Sequence, residues 1–104
     1  MLAIEQFLVV VENDEFVEGH EILEEDWNRF KKLPEYENEA KILKGLINAS
    51  TALALVRKGK KEGAQRVWQT YEKYAPLIDS TPSAHTAKYK EAQALLLRKY
   101  ALYM

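Results

Sequence analysis

Residues 45–56 read GLINASTALALV. Twelve positions pass without a charge, and on a helical wheel their apolar side chains fall on nearly every side. A surface helix shows one apolar stripe, whereas a helix that is apolar all round belongs at the centre of a bundle. As a helix the run spans only about 18 Å, short of a bilayer core. The stretch therefore predicts the central helix of an all-α fold.

The flanking sequence agrees. Only three prolines and four glycines occur among 104 residues, and no run alternates as a strand would. The central helix is expected over about Tyr36 to Lys58, after a break enforced by Pro34, with Gly59 as its stop. Two helices are expected before it. One covers about Leu2 to Glu12, with Phe7, Leu8, Val10 and Val11 on its apolar side. The other covers about Glu15 to Lys32, with Asn13 or Asp14 as its cap. Two more are expected after it. Lys61 to Ala75 carries Ala64, Trp68 and Tyr71 at helical spacing. Ser83 to Leu102 is capped by Thr81 or Ser83 and striped by Tyr89, Leu96, Tyr100 and Tyr103. Gly45, Gly63 and Ala64 read as close-packing positions. The expectation is one all-α domain over residues 1–104, a single compact bundle of four to five helices.

Size and charge narrow the function. A chain of this length buries roughly two-thirds of its unfolded surface and folds without staples. It has no cysteine, which removes disulfides and thiolate chemistry. Fifteen basic against 16 acidic side chains give a net charge of −1. That balance argues against a dedicated nucleic-acid binder. The one basic run, Arg57, Lys58, Lys60 and Lys61, reads as a solvated turn between helices. Residues 1–11 lack a basic start and contain Glu5, so no secretory signal is expected. A soluble, cytoplasmic protein without membrane contact is the expectation.

Chemistry concentrates in residues 15–27, EFVEGHEILEEDW. With His20 at zero and about 100° per residue, Phe16, Leu23 and Trp27 fall between roughly −60° and −20°. Glu24 falls near roughly +40°, Glu21 near +100°, and Glu18 and Glu25 far round the helix. Ile22, near roughly 200°, is the misfit. His20 and Glu24 are thus expected on the apolar stripe, one turn apart, with Trp27 shielding them. Two readings follow. In one, the histidine and the acid satisfy each other as an internal polar pair. In the other, they belong to a pocket to which Asn48 and Thr51, three apart on the central helix, add hydrogen bonds.

Metal binding is a special case of the pocket. His20 and Glu24 can ligate one divalent ion from a single helix face, and Glu21 occupies the place of the general base in the His-Glu-x-x-His zinc motif. The fifth position is Glu24, not histidine, so a third ligand must come from elsewhere. Glu37, Glu39 and His85 are the candidates.

Three ordered blocks, EFVEGHEILEEDW, KGLINASTALA and RKGKKEGAQRVW, resemble the signature of the domain-of-unknown-function family 309. Phe16, Glu18, His20, Glu21, Leu23, Glu24 and Trp27 fall in register with its first block. Gly45-Leu46-Ile47 fall in register with its second, and Gly59 with Gly63-Ala64 with its third. The family's Phe-Asn-x-Gly entry is Val11-Glu12-Asn13-Asp14 here, and its glutamine after Gly-Leu-Ile is Asn48. The resemblance implies a compact helical bundle. Some members carry the label "predicted metal-dependent hydrolase", which would make His20 and Glu24 metal ligands and Glu21 the water-activating base.

The readings carried forward are a small hydrolase acting on an unidentified small molecule and an interaction module in which the His-Glu pair is structural. The tyrosine stripe of the last helix is expected to exceed what one small core buries, which suits a symmetric homodimer.

Overall fold

A computed structural model describes residues 1–104. The chain is all helical. Its elements are α1 (Ala3–Glu12), α2 (Phe16–Phe30), a 3₁₀ turn (Pro34–Tyr36), α3 (Glu37–Arg57), α4 (Lys61–Tyr74), the single-turn α5 (Leu77–Ser80) and α6 (Thr86–Tyr103). Five long helices thus form the expected bundle. The 3₁₀ turn and α5 follow Pro34 and Pro76, where a missing N–H and a fixed φ suit the first turn of a short helix.

α3 is the axis of the molecule. Ile42, Leu43, Leu46, Ala49, Ala52 and Leu53 are buried along it, and α2, α4, α5 and α6 all pack against it. Its charge-free run has this cause: a helix contacted on several sides has no face to give to water. α4 joins it through a tight turn in which Gly59 adopts a φ of +78°. There Lys60 N donates to Leu55 O at 2.9 Å and Gly59 N to Val56 O at 2.9 Å, closing the helix end. Arg57, Lys58, Lys60 and Lys61 are exposed around this turn, as the solvated reading expects. Gly45 meets α4 closely, since a Cβ there would lie 3.3 Å from Tyr74 Cβ. Gly63 has no such neighbour; its nearest atom would be Leu55 Cδ1 at 3.8 Å.

α6 closes the bundle, and its tyrosines are used inside it. Tyr89 and Leu96 are fully buried. Tyr100 stacks on Trp68 with ring centroids 3.9 Å apart, and Tyr103 meets Phe16 edge-on at 6.1 Å. The tyrosines of the stripe are therefore used within this chain's own core.

The α1–α2 corner departs from the expected cap. α2 starts without a side-chain cap. Asp14 takes a left-handed φ of 62° and turns its carboxylate to α6. There it accepts from Lys99 Nζ at 2.7 Å and from the Tyr103 hydroxyl, with Arg57 at 3.4 Å. Charge-assisted contacts to α6 and α3 outweigh one local cap. At the other end Ser83 does serve the start of α6: His85 N donates to its Oγ at 3.0 Å.

No helix is long and apolar enough to cross a membrane.

Candidate functional site

α2 packs through Phe16, Gly19 and Leu23. On the wheel set at His20 these lie between roughly −100° and −40°, so the buried direction is displaced from the histidine by most of a right angle. Gly19 is the cause. A Cβ there would stand 2.6 Å from Ser50 Oγ, 3.3 Å from Val11 and 3.4 Å from Phe7. The missing side chain lets α2 lie against α3 and α1 at this point, and Ser50 Oγ uses the closeness to donate to Phe16 O at 2.6 Å. Ile22 is then no misfit; it lies at the other edge of the buried arc and packs against the core. By the same rotation Val17 and Glu24, on the far side of His20, are exposed.

His20 and Glu24 therefore do not form the expected buried pair. They line one wall of a cleft of about 260 Å³ between α2 and α3, with His20 half-buried and Glu24 open to water. Trp27 continues that wall. The other wall comes from α3: Lys44, Ile47, Asn48 and Thr51. Positions 44, 48 and 51 are spaced by four and three, one face of a helix. The expected residues His20, Glu24, Trp27, Asn48 and Thr51 thus meet on one cleft. Lys44 and Ile47 join them; their spacing to Asn48 and Thr51 was the signal for them.

The polar groups divide in two. Asn48 Nδ2 donates to Lys44 O at 2.7 Å, and Thr51 Oγ1 donates to Ile47 O at 3.0 Å. Both are held by their own helix. The side chains of His20, Glu24 and Lys44 take part in none of the seven ion pairs and none of the side-chain hydrogen bonds of the molecule. Lys31 stands 4.1 Å from the centre of the Trp27 ring and covers its outer side.

Glu21 is exposed and does not line the cleft. It lies roughly 100° round the helix from His20, too far to share its surface. Nor does the cleft fit the expected divalent ion. A catalytic zinc takes three protein ligands, and no three His, Asp or Glu side chains of this chain are grouped closely enough to hold a metal. Glu37, Glu39 and His85 lie on a different cleft. Glu37 and Glu39 start α3, whereas the residues facing His20 come from 44 onward, about two turns further along. Lys44, which lines the same cleft, brings a positive charge that disfavours a cation there.

The comparisons add a boundary. A family model described as "Domain of unknown function (DUF309)" matches residues 4–67, more than half of the chain. That span holds α1, α2, α3 and the first half of α4, including every residue of the α2–α3 cleft. No curated protein and no solved structure matches the chain. With its first two motif blocks and all of the third but Trp68 inside the matched span, the chain belongs to the DUF309 family, a family of unknown function.

Proposed function

We propose that the α2–α3 cleft binds a small polar molecule and hydrolyses it by proton transfer without a metal of its own. The observation that carries this reading is the trio without internal partners: an imidazole, a carboxylate and an ammonium from two helices, set on one cleft and bonded to nothing in the protein. Of the three, His20 is half-buried, and a half-buried polar group normally finds a partner within a fold. Groups left free on a concave surface are available to a ligand.

The roles follow from the chemistry of the groups. His20 is the proton-transfer residue, since an imidazole carries two ring nitrogens, one able to accept a proton and the other to donate one. Lys44 supplies positive charge where an attacked carbonyl or phosphoryl oxygen becomes negative. Glu24, one turn from His20, faces the imidazolium that forms when the attacking water gives up its proton; as the ester bond to the leaving oxygen breaks, that imidazolium returns the proton to it and the imidazole is restored. Trp27 and Ile47 provide the apolar wall, and Asn48 Oδ1 remains free to accept. The volume equals that of about nine water molecules, so the ligand is a metabolite-sized molecule rather than a polymer. In this reading the family's hydrolase label survives and its metal does not.

A panel of chromogenic carboxylic and phosphoric esters tests it. Turnover is expected to persist in excess chelator and to fall at least tenfold in both His20→Ala and Lys44→Ala, with Glu21→Ala unchanged. Equal rates in the His20 variant, or loss on chelation restored by added zinc, overturn it.

A further inference from the structure

A second and larger concavity lies at the other end of α3, about 620 Å³, between the segment Pro34–Glu39 and the segment Thr81–His85. Its size falls within the range of small-molecule sites. The Thr81–His85 wall lies outside the span of the family match, so nothing about the family assigns it a role.

Glu39 is the central fact. The residue is 7% exposed, its carboxyl is bonded to the neutral hydroxyl of Ser83, and no Lys, Arg or His lies within ion-pairing distance. A buried ionised group without a counter-charge is costly. Its charge reaches Tyr89, whose phenol is pushed well up, first by burial and then by Glu39 and Asp26. Thr81, on the opposite wall, keeps its hydroxyl oxygen out of water with no hydrogen-bond partner. The site therefore holds one buried carboxyl without a basic partner and one buried hydroxyl without a hydrogen-bond partner.

The rest of the lining states what would complete it. Glu35 and Glu37 add negative charge, Glu37 being shared with the exposed Lys41 at 3.4 Å, and no lysine or arginine lines the cleft. Phe30 and Tyr36 stack at 5.0 Å, and Tyr36 is 42% exposed, so an aromatic face is open beside the acids. Such a face attracts cations, as the Arg29 guanidinium 5.0 Å from the Phe30 ring centre already shows. A bare metal ion is the wrong cation, because these carboxylates are not grouped as ligands. A cation with an organic body meets every feature. Its charged end approaches Glu35, Glu37 and Glu39, and its carbon chain lies along Tyr36.

We infer that the cleft between Pro34–Glu39 and Thr81–His85 binds an organic cation, an alkylammonium or guanidinium group on a short aliphatic body. This group comes either from a free polyamine or from a basic side chain of a peptide. The test uses the full chain, ¹⁵N-labelled, titrated with 1,4-diaminobutane, with N-acetyl-arginine methylamide, and with the neutral citrulline analogue of the latter. Saturable shifts of the Tyr36, Thr81 and Ser83 amides are expected with a cationic probe and none with the neutral one. Tighter binding of the diamine names a free polyamine as the ligand, and tighter binding of the arginine derivative names a peptide.

Glu39→Gln should weaken the better probe at least tenfold. Glu35→Gln/Glu37→Gln, at exposed positions that leave the fold intact, should weaken it severalfold and keep the claim testable if the Glu39 variant unfolds. Equal binding of the citrulline analogue, shifts confined to the α2–α3 cleft, or no saturation with either cation overturns the inference.

Discussion

Two faces of α2, one residue apart in sequence, are built to opposite rules. Phe16, Gly19 and Leu23 point into α1 and α3, where Leu23 is wholly buried and there is no room even for a methyl group at Gly19. His20, Glu24 and Trp27, on the adjoining face, border open space and leave two ionisable groups with no partner. The closed face fixes where the helix lies. The open face inherits that position without contributing to it. A bundle of this size can expose unpaired polar groups on a rigid element only because the neighbouring face carries the packing.

The closed face is the place to break this arrangement. Gly19→Ala puts a carbon 2.6 Å from Ser50 Oγ, a side chain that cannot swing away without losing its bond to Phe16 O. Overpacking of this kind costs about 1–3 kcal/mol. At about 4–8 °C per kcal/mol for a domain near this size, thermal melts should show a drop on the order of 10 °C. Gly45→Ala meets Tyr74 Cβ at 3.3 Å, a contact that a small shift relieves, and should lower the melting temperature less. If the two variants melted alike, Gly19 would not be the residue that sets the approach of α2.

The next effect lies just before α2, at Asp14. Asn tolerates the left-handed backbone, so Asp14→Asn tests the charge alone. Lys99, which is 11% exposed, and Tyr103 then lose their anionic acceptor. Charge-assisted bonds at a partly solvated site should be worth about 1–2 kcal/mol here. The same group gives a pH signature. The Lys99 bond first, then the Tyr103 bond, hold the Asp14 carboxyl below its ordinary value of 3.8. A group with a lowered folded value stabilises the fold above the ordinary value, and the contribution fades as pH falls through the folded one. The melting temperatures of wild type and Asp14→Asn should therefore differ most near neutral pH and converge below about pH 4. A constant gap would assign the effect to geometry instead of charge.

How much of this was legible in the sequence depends on the range of the forces involved. The helices were legible because their causes are local: the charge-free run of α3, Pro34, and Gly59 at its positive φ. The membership of the α2–α3 cleft was legible from helical spacing, since His20, Glu24 and Trp27 share one face and Asn48 and Thr51 another. What spacing cannot give is the absolute rotation of a helix in its socket. That angle was set by Gly19 meeting Ser50, residues 31 apart in sequence, and it moved Glu24 from the interior to the rim. The Asp14 node has the same character, since Lys99 and Tyr103 are invisible from the α1–α2 turn. So has the second cleft, whose walls are the segments leading into α3 and into α6, joined where Ser83 bonds Glu39, 44 residues away in sequence. The missing third metal ligand was a matter of distance along α3, which no local pattern of carboxylates reveals.

The smallest effect on stability is expected on the open face, and it is the sharpest test of the comparison. His20→Ala and Lys44→Ala remove side chains that make no hydrogen bond or ion pair and border solvent. Surface substitutions of this kind stay within about ±0.5 kcal/mol. Their melting temperatures should fall within a few degrees of wild type while ester turnover collapses. Glu24→Gln should be quieter still in the melt, because an exposed acid with no partner has nothing to lose. A loss near that of Gly19→Ala in any of the three would mean that the open face helps hold α2 after all. The unpaired groups would then be structural residues whose partners form only on thermal motion, and the case for a ligand in that cleft would fall with the comparison.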